Sequence, residues 1–494
     1  MKKRTSCSLI ALLLLAGIAV SSCGEAASEK TPADTQNASG ETEEAVTEEP
    51  TEADLRAKIP DNLPEKDMNG YKFNIWVRNR GDFINDVGLE LEESGDVVDD
   101  AILSRNNTVA ERFNVEFDSR IIESGAFDAE VVKSIQSGDD ACNLALGQII
   151  TISGKGIEGY FLDWYDDLPY VNLKQPWYIG NAAEACSVDG HAYIMIGEYD
   201  LDVLRFTYCM YFNKKIVQDY DIPNLYTTVA DGKWTYDYLY NLSTQVYQDL
   251  DGDTKKSESD LLCISGDPYS AVVTYQYAFN NPLFTINDKG TPTMTFDTEK
   301  AHDIVVKLNE LYWNTAGGYT QNWGTGSEAW NNGNLLFYTG LFQNFNSYRD
   351  LNFDFGIIPY PKYDEAQQNY YTMSDGAHAG MVVPTTVSDP ENTSIILEAL
   401  NAETYKQVVP AYYDIALKVK YARDNESAEV LDLLMQSRVF DFGYMYNNDG
   451  SLAFAIQRLV SKNSNNTESE YAACMKKGTK LFEKVIAAYQ ELNG

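Results

Sequence analysis

Planar polar side chains stand beside aromatic rings at several points of this chain, and the pairing suits one chemistry well. Carbohydrates are amphipathic: their C–H faces stack on rings while vicinal hydroxyls take paired hydrogen bonds from Asp, Asn, Gln or Arg. The chain is rich in rings, with 34 Tyr, 20 Phe and 7 Trp. Arg78, Arg80 and Asp82 close a strand pattern, Trp177 and Tyr178 lie in a QPWY loop, and Tyr199, Asp200 and Asp202 follow an IGE triplet. Trp323 and Trp330 precede Phe342, Gln343 and Asn344, and Asp375 and His378 stand in an SDGAHAG loop. Each also has a plainer reading as core, rim or surface ion pair, and an exposed Arg–Asp pair contributes little.

A second pattern concerns metal. In DLDGDTKKSESD, Asp249, Asp251, Asp253 and Asp260 occupy positions 1, 3, 5 and 12 of a calcium-loop pattern, and Lys255 offers its carbonyl at position 7. The glycine is Gly252 at position 4, whereas position 6 holds Thr254, so a solvated acidic loop competes with a structural Ca²⁺ site. No other cofactor is expected. The chain contains no nucleophile elbow, HExxH, P-loop or strand-linked GxGxxG. With 74 acidic residues an acid–base pair can always be drawn, so the count does not argue for a glycoside hydrolase. His191, His302 and His378 are too few for a histidine metal centre, and Cys142, Cys186, Cys209, Cys263 and Cys474 lack CxxC spacing. They read as small buried apolar side chains, with one bridged pair left open.

These groups need a scaffold. YKFNIWV, residues 71–77, alternates as a strand and opens into a polar loop at 78–82, the kind of strand end at which open α/β sheets bind ligands. AILSRNNTVAERF reads as helix, NVEFDSRII as strand, FDAEVVKSIQSGDDA as helix and CNLALGQI as a buried strand. That β, α, β order predicts an α/β protein with mixed, mainly parallel sheets. HAYIMIGEYDLDVLRFTYCMYFNKKIVQDYDI reads as strands running into a helix, and another helix is predicted from Thr235. SEAWNNGNLLFYT reads as helix and FDFGIIPYP as strand; the carboxyl-terminal region is helical, with Asp389 as N-cap and Pro390 at N1.

At the amino terminus, Lys2, Lys3 and Arg4 precede an apolar run at 9–20, shorter than the roughly 20 residues a spanning helix needs. With Ser21 and Ser22 before Cys23, residues 1–22 read as a signal peptide. The sequence around Cys23 resembles the lipobox of bacterial lipoproteins, which implies an acylated first mature residue held at the outer face of the cell membrane. Residues 23–60, acidic and free of aromatics, predict a disordered stalk. The body from 68 to 494 is long enough for two lobes. The whole chain's net charge of −36, or −39 once Lys2, Lys3 and Arg4 leave with the signal, disfavours nucleic acid and anionic lipid as partners.

YKFNIWVRNRGDF, GDVVDDAILSRNNTVAERFNVEF, TYCMYFNKKIVQDYDI, GIIPYPKYDEAQQNYYT and AYYDIALKVKYARDNESAEVLDLL, in that order, resemble the extracellular solute-binding proteins of bacterial ABC importers, in the sugar-binding family of maltose-binding protein. The resemblance covers about 68–490 and implies a type II two-lobe fold that closes on a ligand, with one lobe at 68–198 plus 341–388 and the other at 205–338 plus 391–494. It implies crossings near 198–204, 339–341 and 388–390, and places Arg78, Arg80, Asp82, Trp177, Tyr199, Asp200, Trp323, Phe342, Asp375 and His378 at the cleft. The function it implies is non-catalytic: a monomeric lipoprotein captures a carbohydrate, expected to be an oligosaccharide, and delivers it to permease subunits. A glycan adhesin, a sensor subunit and a surface glycosidase are the competing expectations.

Overall fold

A computed structural model describes residues 52–421, 425–446 and 452–493. The expected signal peptide, Cys23 and the stalk as far as residue 51 lie outside these residues. Two sheets organise the rest. In the first, Tyr71–Arg78 pairs in parallel with Val115–Ile122 on one side and Leu144–Gln148 on the other, and Ala379–Val382 adds antiparallel to Leu144–Gln148. Phe73, Ile75 and Val77 are buried on alternate positions, as the sequence pattern requires. The helix Val97–Phe113 makes the crossover between the first two strands. Asp96 starts it by accepting from the backbone N–H groups of Val98 and Asp99, and Ile102, Val109 and Phe113 bury one stripe.

The second sheet has the order Phe355–Ile358, Tyr208–Asn213, Leu335–Leu341, Leu261–Ser265, Tyr247–Gln248. Tyr208–Asn213 is antiparallel to both neighbours, Leu335–Leu341 and Gly318–Tyr319 are parallel to Leu261–Ser265, and every residue of Tyr208–Asn213 is buried. The result is the mixed, helix-flanked α/β architecture expected of the chain.

Three expectations need correction. The stalk does not extend to residue 60: Glu52–Ala57 is helical, with Arg56 paired to Glu52 and lying 5.2 Å over the Tyr405 ring. The stretch SEAWNNGNLLFYT is not one helix. Ser327–Asn331 is a short helix, Gly333 turns the chain with φ +76°, and Leu335–Leu341 is an interior strand whose apolar run is covered on both faces.

The lobe boundaries also move. Phe355–Ile358 pairs with Met210–Asn213 and so belongs to the second sheet, whereas the resemblance implies 341–388 in the first lobe. Pro390–Glu403, which begins at the Asp389 cap, packs instead on the first half: its Glu398 accepts from Trp177 Nε1 at 3.1 Å and from the Tyr178 hydroxyl at 2.8 Å. The chain therefore returns to the first sheet through 374–379 and not through 339–341.

Candidate ligand-binding site

The carboxyl edges of the two sheets meet. In the first sheet, Tyr71–Arg78 and Leu144–Gln148 end side by side, with Ala379 paired to Gln148. In the second, Leu261–Ser265, Gly318–Tyr319 and Leu335–Leu341 end at one edge, where Tyr208 begins its antiparallel strand. Thr207 bridges to Ser374, the Asp375 N–H donates to the Phe206 carbonyl at 2.9 Å, and the Phe342 N–H donates to the Thr207 carbonyl at 3.0 Å. Such edges are where open α/β sheets receive ligands.

Arg80 and Asp375 fix this junction. The Arg80 guanidinium donates to the Ala377 carbonyl at 2.9 Å, pairs with Asp82 at 2.9 Å, and lies 4.4 Å over the Phe206 ring. It joins the end of the first strand to the segment entering the second sheet. The Tyr208 hydroxyl donates to Asp375 at 2.6 Å; burial, then the Asp375 charge, push the phenol well above its ordinary range. Arg78 is half-buried at the strand end; burial, then Arg80, lower its pKa.

Beside the junction lies a cavity of about 430 Å³ between two stretches, 82–99 and 343–347. Asp82, Asn85, Asp99, Arg205, Gln343 and Asn346 line it, a set of planar polar groups suited to paired hydroxyls. A larger cavity of about 830 Å³, lined by residues 298–303 and 465–475, has no wall from either sheet's carboxyl edge.

The loops leaving two adjacent parallel strands carry an aromatic pair. Tyr269 follows Leu261–Ser265 and Trp323 follows Gly318–Tyr319; their ring centroids are 6.5 Å apart at 35°. The rings are 41% and 74% exposed, which separates them from the buried aromatics of the core. The Thr320 hydroxyl donates to the Gly266 carbonyl at 2.8 Å, tying the two loops together. Gly326, at φ +97°, returns the second loop against Ser265, where a Cβ would approach the Ser265 backbone to 3.1 Å.

Trp323 thus stands at an open strand edge, and Arg78, Arg80, Asp82 and Asp375 gather at the junction. Other expected ligand contacts do not. Trp177 is fully buried as a donor to Glu398, and Phe342 is fully buried against Phe345, because both complete the apolar core rather than face solvent. Trp330 is buried as well, stacked on Tyr338 at 5.8 Å. Tyr199 is buried beneath Arg105, whose guanidinium lies 4.6 Å from the ring centroid, and Asp200 accepts from the backbone N–H groups of Asp202 and Ala379. His378 is buried with Nδ1 donating to the Ala379 carbonyl at 2.8 Å, and burial lowers its pKa to about 4.

Tyr269, Tyr208 and Arg205 were missed. The signal for Tyr269 was present: a buried strand ending in Ser265-Gly266-Asp267-Pro268 opens into a polar turn, as at 78–82.

The acidic loop gathers three of its four expected ligands. One carboxylate oxygen each from Asp249, Asp251 and Asp253 lies within 4.8 Å of the others. Asp260 is instead buried, accepting from Leu250 N–H at 3.1 Å and Ser257 N–H at 2.9 Å, so its oxygens close the loop from inside. The donor set fits a calcium loop only in part. The five body cysteines are all free and buried.

No protein-family model and no curated protein sequence matches the chain. Solved structures do. A cyclo/maltodextrin-binding protein complexed with maltotetraose superimposes with a TM-score of 0.55 at 12% identity, over 86% of this chain and 98% of that one. The ABC substrate-binding protein Lmo0181 of Listeria monocytogenes, in complex with cycloalternan, gives 0.52 at 11% identity over 85% and 99%. UgpB of Mycobacterium tuberculosis, in complex with glycerophosphocholine, gives 0.55 at 15% identity over 84% and 99%. The fold is that of the type II solute-binding proteins of ABC importers, a class of binding proteins. The ligand in the third of these structures is not a sugar.

Proposed function

We propose that this chain is the extracellular capture subunit of an ABC importer, binding a neutral carbohydrate between its two halves without chemical change. The observation that carries the reading is the open Tyr269–Trp323 pair on neighbouring strand-end loops, in a fold whose carboxyl edges meet at a polar junction. Rings supply the apolar platform and the Asp, Asn, Gln and Arg groups nearby the paired hydrogen bonds. An oligosaccharide, long enough to reach both the platform and the junction, suits this spread better than a monosaccharide. The acidic surface disfavours phosphorylated ligands.

In the same reading Cys23 anchors the protein by acylation at the outer face of the cell membrane, and ligand-driven closure presents one shape to permease subunits. A thermal-shift screen of the mature chain against neutral glycans, with product analysis of each hit, tests it. A hit that raises the melting temperature and is recovered unchanged supports capture. Turnover would make the protein a glycosidase, and stabilisation by glycerophosphodiesters alone would remove the carbohydrate.

A further inference from the structure

The geometry points to a buried divalent cation, of the calcium class, held by Asp86, Asp200 and Asp202 where the chain passes between the two sheets. Asp86 lies in the last turn of the helix Gly81–Val87, and Asp200 and Asp202 lie on the segment leading to Tyr208. One carboxylate oxygen from each lies within 4.8 Å of the other two, and the three residues are 2%, 3% and 0% exposed. Calcium–oxygen distances are about 2.4 Å, so ligands on opposite sides of the ion stand about 4.8 Å apart. The spacing fits an ion at the centre.

The hydrogen-bond inventory leaves room for it. Arg205 Nη1 contacts Asp86 Oδ1 at 2.5 Å and Asp202 Oδ1 at 3.5 Å, and Asp200 accepts from two backbone N–H groups. Among the described residues, Asp86 Oδ2 and Asp202 Oδ2 accept no hydrogen bond. The hydroxyl of Tyr199 makes none either, and that residue is 1% exposed and close enough to Asp86 and Asp200 to interact with both charges. Arg105 donates to the Asp86 and Val87 carbonyls, Asn106 and Thr404, and not to a carboxylate.

Charge points the same way. Three buried carboxylates face two guanidiniums, Arg205 paired to Asp86 and Asp202 and the buried Arg105 whose charge also acts on Asp86, which leaves one negative charge without a counter-ion, and a buried ion without one is costly. An Asp200 oxygen lies within 4.8 Å of one from Asp86, and two carboxylates attract only across a shared proton or a cation. A divalent cation offsets that charge and supplies a ligand-bonding partner for both open oxygens. Because Asp200 also holds the Ala379 N–H at 2.8 Å, such an ion would tie the crossing to the first sheet and stiffen the connection about which the halves move.

Two other carboxylate groups could bind the same ion, one at Asp249, Asp251 and Asp253 and one at Asp163, Asp166 and His191. The test therefore starts from the full mature chain carrying Asp251→Asn and Asp166→Asn, which disable both. After chelator treatment and dialysis against micromolar Ca²⁺, elemental analysis is expected to find one ion per chain, and Asp202→Asn added to it should bring the count to none. A count of zero before that change, or one that Asp202→Asn leaves intact, overturns the site; in the first case the carboxyls share a proton instead. Should Asp202→Asn fail to fold, Tb³⁺ serves as probe with Tyr199→Phe. Sensitised emission should fall at least twofold while the bound count stays the same, and unchanged emission contradicts the site.

Discussion

Tyr269 and Trp323 share one surface because their loops leave adjacent parallel strands in register, Ser265 opposite Tyr319, with the Thr320–Gly266 hydrogen bond between them. Their ring centroids are 6.5 Å apart and both rings are open. An exposed indole of this kind has no packing role to explain it. Its partner ring and its place at a strand end give it one.

The contrast with Trp177 makes this testable. Trp177 is fully buried and donates to Glu398, so Trp177→Ala should cost about 3–5 kcal/mol in urea unfolding. Trp323, 74% exposed, should change stability by no more than about 0.5 kcal/mol when replaced by Ala. Equal losses from the two variants would show that the exposure of Trp323 has been misassigned.

At the junction, Tyr208→Phe and Asp375→Asn should not be additive. A charge-assisted bond of 2.6 Å between a buried phenol and a half-buried carboxylate predicts a coupling of about 1.5–3 kcal/mol in a double-mutant cycle of unfolding free energies. A coupling near zero would mean that the two groups do not hold the halves together.

Glu398 makes stability depend on pH. Burial, opposed by the bonds from Tyr178, Asn172 and Trp177, raises its pKa from 4.5 to about 7. The folded state therefore binds more protons than the unfolded state between those values. Its contribution is full below about pH 4.5 and is lost as pH rises through about 7, a loss on the order of 3 kcal/mol. Glu398→Gln should flatten the decline in unfolding free energy measured between pH 5 and pH 7.5; an unchanged slope would assign the dependence to other groups.

Thiol accessibility gives a further check. Burial raises the Cys186 thiol to about 12 and the Cys142, Cys209 and Cys263 thiols further, and none of the five body cysteines is bridged. Native protein should show almost no reaction with a thiol reagent, and denatured protein about five reactive body thiols. About three would mean a disulfide.

The order of strands and helices in the first half was legible because alternation and helix starts are local signals: Asp389 accepts from the N–H its cap position predicts and Thr235 caps the helix predicted from it, whereas the helix read from Ala101 begins at Val97 behind the Asp96 cap. Leu335–Leu341 was not, since a strand covered on both faces has the same apolar run as a buried helix. The site was less legible for a related reason. Trp177, Tyr199, Trp323 and Phe342 look alike in sequence, and only the packing around each decides whether a ring meets water or core. The lobe boundaries depended on long-range pairing, Phe355–Ile358 with Met210–Asn213, that no local pattern encodes.

The proposed carbohydrate platform between the two halves rests on Trp323. Calorimetric titration of the mature chain with the neutral oligosaccharide that most raises its melting temperature tests this directly. One ligand per chain, recovered intact, is expected, with an affinity at least tenfold weaker in Trp323→Ala, about 1.4 kcal/mol or more. Unchanged affinity in Trp323→Ala, or no heat with any glycan, would contradict the proposed platform.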